Sequence, residues 1–326
     1  MPPQLKDQVV VITGASSGIG RSTALLFGKK GAKVVLAARN VVGLQEVSDD
    51  INFMSGGEAL VVPTDVTEWA QVERLAHSAM AAFGRIDTWI NDAGVGVYAT
   101  AGDTSVEETQ QVMQTNFMGM VHGVKAALPY MQKQGSGTII NVGSVESQVA
   151  LPYNSAYAAS KHAIKGYTEA LQMELEHTHS PIRVTLIMPA AINTPFFNHA
   201  LSKIGVLPRP AGPVYKPEIV AEAIAYAAEH PQRDVYVGGG GMLFGMMERI
   251  SPALTDKVMT AGGTMFRAQE SNRPENAQTT LFNTIPETGR VEGDFEDLVT
   301  ATPTVPKMLL PAVIVGAVAG LLYSRR

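Results

Sequence analysis

The 326-residue chain contains no cysteine, which excludes disulfide bonds, thiolate catalysis and cysteine-ligated zinc sites. Its seven histidines show no metal-ligand spacing, and His177 and His179, two residues apart, are expected to be solvated near a helix end. An excess of positive charge is also missing. The formal net charge is -5, so the chain offers no basic surface for nucleic acid. The polar segment from Met1 to Gln8 shows no signal-peptide pattern, and we expect a cytoplasmic catalytic domain.

Strand and helix patterns alternate regularly through the first 240 residues. Short apolar segments predict strands near residues 8–13, 33–38, 59–63, 86–91, 137–142, 182–188 and 234–237. Helical segments fill the intervals near 18–30, 41–54, 68–83, 105–133, 154–178 and 217–229. This alternation predicts a doubly wound, Rossmann-like α/β fold with a mainly parallel seven-stranded sheet, covered by helices on both faces. Ligands of such sheets bind at the carboxyl ends of the strands, so the site is expected there.

A glycine-rich turn follows the first predicted strand, with the sequence Thr-Gly-Ala-Ser-Ser-Gly-Ile-Gly over residues 13–20. Gly14 permits the tight turn, Gly18 lets a pyrophosphate approach the backbone, and Gly20 allows the next helix to pack closely on the strand. The phosphates would then lie on the N-terminus of that helix. The turn predicts a dinucleotide site, and the alternative is a βα turn that binds no ligand.

Tyr157 and Lys161 lie four residues apart in a predicted helix, so their side chains share one face about one turn apart. A tyrosine with a pKa of about 10 is a poor acid or base at neutral pH. A neighbouring cation favours the phenolate, so we expect Lys161 to lower the pKa of Tyr157. The Y-x-x-x-K spacing is weak evidence alone, because many surface helices carry it by chance.

Taken together, these features resemble the short-chain dehydrogenase/reductases, the type with T-G-x-x-x-G-x-G and Y-x-x-x-K motifs. The glycine spacing differs from the G-x-G-x-x-G of larger dehydrogenases and from that of sugar-nucleotide epimerases. The resemblance covers roughly residues 5 to 240 and continues, in the family's order, through Thr64-Asp65-Val66, Asn91-Asp92-Ala93-Gly94, Asn116, Ser144, Tyr157 with Lys161, and Pro189 to Thr194.

The resemblance implies a catalytic set of Asn116, Ser144, Tyr157 and Lys161. Tyr157 would give a proton to the substrate oxygen, Ser144 would donate a hydrogen bond to it, and Lys161 would also bind the nicotinamide ribose. Asn116 would stabilise a local irregularity in its helix and hold a water that leads to Lys161, although a plain buried asparagine is the alternative. Ser144 lies thirteen residues before Tyr157, as the family pattern requires, and is therefore preferred to Ser147.

The resemblance also implies a nicotinamide cofactor. The residues expected to bind it are Gly14, Ser16, Ser17, Gly18, Ile19, Gly20, Arg39, Asp65, Val66, Asn91, Ala93, Gly94, Tyr157, Lys161, Pro189, Ile192 and Thr194.

The end of the second strand favours NADP(H) over NAD(H). NAD-preferring relatives have an Asp there that binds the adenosine ribose, whereas this chain has Ala38 followed by Arg39. A guanidinium can hold a 2′-phosphate in a forked contact, and the missing carboxylate removes a repulsion. The alternative is that Arg39 is a solvated residue.

Three positions depart from the family pattern: Asp92 replaces the usual second Asn of N-N-A-G, Gly143 replaces a frequent Ser, and Ala190 replaces a Gly. These changes leave the catalytic groups in place.

The domains are predicted as an NADP-binding catalytic domain at 1–245, with a substrate loop at 190–216, and an extension or linker at 246–304. An apolar helix at 305–326 follows. The loop is rich in apolar residues and is interpreted either as a lid over a hydrophobic substrate or as a surface loop that packs on itself. The polar segment 269–304 is either a partly disordered linker or wrapped on the domain. Residues 308–323 form an uncharged apolar stretch, which predicts a short membrane anchor or, alternatively, a buried or dimer-docking helix.

The function predicted first is an NADP(H)-dependent carbonyl reductase or alcohol dehydrogenase acting on a small, lipophilic molecule, as a homodimer or homotetramer. A dinucleotide-binding scaffold or redox sensor without turnover is the alternative. A sugar-nucleotide epimerase or dehydratase is disfavoured by the glycine spacing.

Overall fold

A computed structural model describes residues 4–54, 57–275, 278–285 and 289–300. Its strands, in chain order, are β1 Val9–Thr13, β2 Lys33–Ala37, β3 Glu58–Val61, β4 Thr88–Asn91, β5 Val97–Tyr98, β6 Gly137–Val142, β7 Ile182–Pro189, β8 Ala191–Ile192, β9 Leu201–Ser202, β10 Val214–Tyr215 and β11 Asp234–Val237. Seven of them form one sheet in the order β11-β7-β6-β4-β1-β2-β3, with every pairing parallel. The predicted seven-stranded parallel sheet is confirmed.

The helices cover both faces of this sheet. They are α1 Gly18–Lys29, α2 Val41–Phe53, α3 Trp69–Phe83, α4 Val106–Val112, α5 Gly119–Gln134, α6 Ser155–His177, α7 Phe196–His199, α8 Pro217–Glu229, α9 Gly239–Ile250, α10 Pro252–Thr260 and α11 Thr264–Gln269. One apolar cluster joins the sheet to α3, α5 and α6, and a second joins it to α1, α2 and α8. β-branched strand residues point alternately to both faces, which is why the central strands are buried throughout.

The register of the sheet aligns the carboxyl ends of neighbouring strands. Thr13 pairs with Ala37 on one side and with Asn91 on the other, and Asn91 pairs with Asn141. The loops that follow β1, β2, β4 and β6 therefore start side by side at one edge of the sheet.

The helix predicted over 105–133 is not continuous. A π-helical segment, Met113–Met118, separates α4 from α5, and it contains Asn116. Two short parallel pairs, β5 with β9 and β8 with β10, tie the loop after β7 to the domain.

The segment after β11 packs on the catalytic domain. Gln269 and Phe295 of this segment are buried, and Val299 forms a parallel β-bridge with Val214 in β10. The described residues of 269–304 therefore contact the catalytic domain, and the division at residues 245 and 246 stays a prediction. The apolar helix predicted at 305–326, with its anchor at 308–323, lies outside the described residues. Within the described ranges, no helix combines the length and apolar character needed to cross a membrane.

Candidate active site

The glycine turn connects β1 to α1 as its spacing predicts. Gly14 has φ +75°, and a Cβ there would lie 2.9 Å from the Cα of Ala93. A Cβ on Gly20 would collide with the carbonyl oxygen of Gly14, so glycine allows α1 to approach the turn. Gly18 has φ +55°, and a Cβ there would lie 3.3 Å from the Cβ of Thr194, across the gap between α1 and the loop after β7.

A cleft of about 310 Å³ runs along the carboxyl ends of the strands, where the loops after β1, β2, β4, β6 and β7 meet. The predicted site residues that line it are Gly14, Ser16, Ser17, Gly18, Ile19, Arg39, Asp65, Val66, Ala93, Gly94, Ser144, Tyr157, Lys161, Pro189, Ile192 and Thr194. Most of the residues predicted for the site therefore line one cleft.

Ser144, Tyr157 and Lys161 meet at one end of this cleft. Ser144 follows β6, its Oγ accepts from the Glu146 backbone N–H at 3.1 Å, and its side chain lines the cleft together with Tyr157. The Lys161 ammonium lies 5.4 Å from the centre of the Tyr157 ring and donates to the carbonyl of Val142 at 2.9 Å. Ser147 is buried beneath Ser144, and its Oγ accepts a hydrogen bond from the Ser144 backbone at 3.3 Å. Ser144, not Ser147, therefore faces the cleft.

The pKa of Tyr157 shifts opposite to the expectation. Burial raises the pKa of the phenol, the carboxyls of Glu146 and Asp92 raise it further, and the hydrogen bond with Ser144 lowers it. The net shift is upward because the loss of water around the phenol dominates, and the lowering expected from Lys161 stays a prediction. Burial also lowers the pKa of Lys161, against the opposing effect of the two carboxyls.

Asn116 fixes the π-helical segment to the loop after β4. Its Oδ1 accepts from the backbone N–H of Val95 at 2.8 Å, and its Nδ2 donates to the Val95 carbonyl at 3.0 Å and to Ser160 Oγ at 3.0 Å. The predicted role in stabilising a helix irregularity is consistent with these contacts. The water relay to Lys161 stays a prediction.

Asn91 lies beneath the cleft instead of in its wall. Its Nδ2 donates to Asn141 Oδ1 at 2.9 Å, and its Oδ1 accepts from the Trp89 indole at 2.8 Å. Gly20 likewise lies behind the lining, where it packs against Gly14. Both residues support the site through packing and hydrogen bonding, not by forming the surface of the cleft.

Arg39 and Asp65 lie at the other end of the cleft. The Arg39 guanidinium donates to the carbonyl of Thr280 at 2.6 Å. Asp65 Oδ1 accepts from the backbone and the hydroxyl of Thr67, at 3.0 Å and 2.8 Å. Arg39 is therefore half-buried against the C-terminal extension, and its contact with a 2′-phosphate stays a prediction.

Sequence reasoning missed a buried glutamate two residues after Ser144. Glu146 is 6% exposed, lines the cleft, and accepts from Asn154 Nδ2 at 3.3 Å. Burial raises its pKa to about 8, against hydrogen bonds from Leu151 and Asn154 and the charge of Lys161. The sequence does contain one indication of this site: Glu146 is a charged residue in the loop between a predicted strand and a predicted helix.

The extension also supplies part of the wall, and this was not predicted. Gln269 is 1% exposed, lines the cleft, and its Oε1 accepts from Asn154 Nδ2 at 3.4 Å. Thr280, Ile285 and Arg290 line the other end.

Asp92, noted only as a departure from the family pattern, is a second carboxyl of the cleft. Burial raises the pKa of Asp92, whereas the charge of Lys161 and a hydrogen bond from the Gly20 backbone lower it. Its carboxylate is thus held at the N-terminal turn of α1.

Aromatic rings of the loop after β7 cover the catalytic end. The ring centre of Phe196 lies 5.4 Å from that of Tyr157, and Phe197 lies 6.1 Å from Tyr98. Both phenylalanines line the cleft, whereas Leu207 is buried away from it. The start of the 190–216 segment therefore lines the cleft, and a lid over a hydrophobic substrate stays a prediction.

Comparisons with known proteins agree with this geometry. A family model described as short chain dehydrogenase matches residues 8–204. The uncharacterised oxidoreductase YxnA of Bacillus subtilis is 44% identical over 275 residues, which cover 84% of this chain and 76% of that protein. The dehydrogenase/reductase SDR family member 7B of Danio rerio is 34% identical over 269 residues, or 79% of this chain and 86% of that protein.

Two solved structures share the fold. A short chain dehydrogenase/reductase from Burkholderia phymatum, in complex with NAD, superposes with a TM-score of 0.70 at 27% identity, over 77% of this chain and 96% of that chain. An alcohol dehydrogenase from Thermococcus sibiricus, complexed with 5-hydroxy-NADP, gives a TM-score of 0.62 at 26% identity, over 71% and 94% of the two chains.

Proposed function

Since the chain belongs to the short-chain dehydrogenase/reductase family, we propose that it is an NADP(H)-dependent oxidoreductase that interconverts a carbonyl and a secondary alcohol. The observation that carries this proposal is the meeting of Ser144, Tyr157 and Lys161 at one end of a cleft that starts at the glycine turn.

Each of the three side chains has a different role at the substrate oxygen. Tyr157 gives it a proton during reduction, and Ser144 donates a hydrogen bond to it. A raised pKa keeps Tyr157 protonated at neutral pH, which is the form a proton donor needs. Lys161 holds positive charge beside the phenol and limits the cost of the phenolate that remains after proton transfer.

The residues along the cleft fit a nicotinamide dinucleotide, which supplies or takes up the hydride when bound. Glycine at position 18 keeps a side chain away from Thr194, and Ser16 and Ser17 line the cleft beside it. At the other end, no carboxylate follows β2, and Arg39 offers a guanidinium to a 2′-phosphate. The related structures contain NAD and 5-hydroxy-NADP, so the preference for NADP(H) rests on Arg39.

The substrate end favours a lipophilic carbonyl compound, because Phe196 and Phe197 line it. NADPH would make reduction the favoured direction in a reducing cell. We also propose that the protein forms a homodimer or homotetramer and that residues 308–323 tether it to a membrane. Deletion of 305–326 tests the tether: it should remove the protein from the membrane fraction, and a protein that stays there without this segment would contradict it.

The test of the function is an assay with purified full-length protein, NADPH or NADH, and a panel of ketones and aldehydes that includes steroids, retinoids and quinones. Oxidation of NADPH, followed by its absorbance, should depend on one class of carbonyl compound. Binding of NADPH without turnover of any member would favour the dinucleotide-binding scaffold or redox sensor instead.

A further inference from the structure

The C-terminal extension runs along the cleft as a strap, defined by the described residues 278–285 and 289–300. Four backbone contacts fasten it from end to end. Thr280 N–H donates to the His199 carbonyl at 3.0 Å, and Gly293 N–H donates to the Asn193 carbonyl at 3.3 Å. Phe295 N–H donates to Asn193 Oδ1 at 3.2 Å, and Thr300 N–H donates to the Val214 carbonyl at 2.9 Å.

Two carbonyl oxygens of the strap occupy donors that a dinucleotide would use. The backbone N–H of Gly18, at the start of α1, donates to the Arg290 carbonyl at 2.8 Å. The Arg39 guanidinium donates to the Thr280 carbonyl at 2.6 Å. The first donor belongs to the helix end that would bind a pyrophosphate, and the second is the only basic side chain proposed for the 2′-phosphate.

The strap also fills the space next to these donors. A Cβ on Gly289 would collide with the carbonyl oxygen of Ser16, and a Cβ on Gly293 would lie 2.5 Å from the carbonyl oxygen of Thr194. Arg21 donates to the Gly289 carbonyl, and Glu46 accepts from the Gly289 N–H at 3.2 Å. Close backbone contact leaves no room for a phosphate between the strap and the glycine turn at this point.

We propose that the strap and the phosphates of the dinucleotide compete for Gly18 and Arg39, so that the strap must move away from the turn before the cofactor binds. Carbonyl and phosphate oxygens are both acceptors, and one N–H at the start of α1 cannot serve both in the same geometry. The strap is thus an autoinhibitory segment that lowers the apparent affinity for NADP(H). This inference rests on the proposed function, because it assumes that the dinucleotide binds at the glycine turn.

An ionic cluster around Asp294, a carboxylate that does not itself line the cleft, holds the strap. Asp294 accepts from Arg290 Nη1 at 2.7 Å, from Arg273 Nη1 at 3.0 Å and from Asn198 Nδ2 at 2.9 Å. Removal of this carboxylate should release the strap while the glycine turn and the catalytic side chains stay unchanged. Glu296 is an exposed carboxylate two residues further along the same segment and provides a matched control.

The test compares full-length wild type, Asp294→Ala and Glu296→Ala by calorimetric titration with NADPH. In the proposal, only the protein with its strap moved away from the glycine turn binds NADPH, and this state is the minor one in the wild type. The population of that state sets the apparent dissociation constant for NADPH. Asp294→Ala should raise this population and bind NADPH about tenfold more tightly. Glu296→Ala should bind it as the wild type does. Weaker binding of NADPH by Asp294→Ala would overturn the proposal, because it would mean that the strap stabilises the bound cofactor.

Amide hydrogen exchange of the wild type gives a second measurement that needs no variant. NADPH should accelerate exchange of the peptide 289–300, since the bonds of Gly293, Phe295 and Thr300 would open. Slower or unchanged exchange upon saturation with NADPH would contradict the competition and leave the proposed function intact. Failure of every protein to bind either NADPH or NADH would instead contradict the proposed function.

Discussion

The Lys161 ammonium lies 5.4 Å from the centre of the Tyr157 ring, yet its hydrogen bond goes to the carbonyl of Val142 at 2.9 Å. The lysine therefore acts on the phenol through space, not through a direct contact with its oxygen in this geometry. Burial and the carboxyls of Glu146 and Asp92 raise the pKa of Tyr157. Burial and the two carboxyls thus favour a protonated phenol, and the nearby cation of Lys161 favours the phenolate that remains after proton donation to an alkoxide.

Replacement of this phenol gives the most direct prediction. Tyr157→Phe should lower kcat by at least about a hundredfold, because loss of a general acid costs about 10²–10⁴ in rate. The dissociation constant for NADPH should change by less than about threefold, since the ring and its packing on Phe196 remain. Single-turnover assays with titration of the cofactor measure both quantities. Activity within tenfold of the wild type would refute the assignment of Tyr157.

The motifs that locate the site could be predicted because they are local. Glycines 14, 18 and 20 are required by backbone geometry over a few residues, and Tyr157 and Lys161 are joined by the helical repeat. The parallel strands could be predicted from β-branched runs for the same reason.

The features of the site that the sequence did not predict depend on contacts between segments that lie far apart in the chain. Arg39 and Thr280 are 241 residues apart, and the segment around Thr280 has no hydrophobic periodicity that would predict its docking. The sign of the Tyr157 pKa shift could not be predicted either. It depends on how deeply the phenol is buried and on Glu146 and Asp92, which only the fold brings near it.

Glu146 should make the stability of the protein depend on pH. Its pKa is about 8 in the folded protein and 4.5 ordinarily, so the unfolded chain loses this proton first as pH rises. The free energy of unfolding should therefore fall between about pH 4.5 and pH 8, by up to about 1.4 kcal/mol per pH unit. Glu146→Gln keeps the shape without the ionisation and should remove the contribution of Glu146 to this slope, while that of Asp92 remains.

Thermal unfolding from pH 5 to pH 8 measures the effect. The melting temperature of Glu146→Gln minus that of the wild type should increase with pH over this range. Glu73→Gln, at an exposed position of α3, controls for the loss of a carboxylate and should follow the wild type. A constant difference between Glu146→Gln and the wild type would show that the folded protein does not hold Glu146 protonated.

Arg39 should discriminate between the two cofactors. Arg39→Leu removes the guanidinium proposed for the 2′-phosphate, and loss of a charge-assisted contact costs about 1.5–3 kcal/mol, or roughly tenfold to a hundredfold in affinity. NADH lacks that phosphate, and its dissociation constant should change by less than about threefold. The ratio of the two constants, measured by titration, isolates the effect. An equal loss of affinity for NADPH and NADH would show that Arg39 supports the structure of the cleft but does not bind the 2′-phosphate.

Two helix glycines provide a matched test of the packing beneath the cleft. In α5, a Cβ on Gly123 would collide with Asn91 Oδ1 and lie 2.5 Å from the Trp89 indole nitrogen, whereas Gly166 in α6 has open space around it. Gly123→Ala should lower the free energy of unfolding by about 1–3 kcal/mol, because overpacking displaces the Trp89–Asn91–Asn141 hydrogen bonds. Gly166→Ala should raise it by about 0.5–1 kcal/mol through the helix preference of alanine. Urea denaturation of both variants measures these changes, and shifts of the same sign would contradict the close packing of α5 on Asn91.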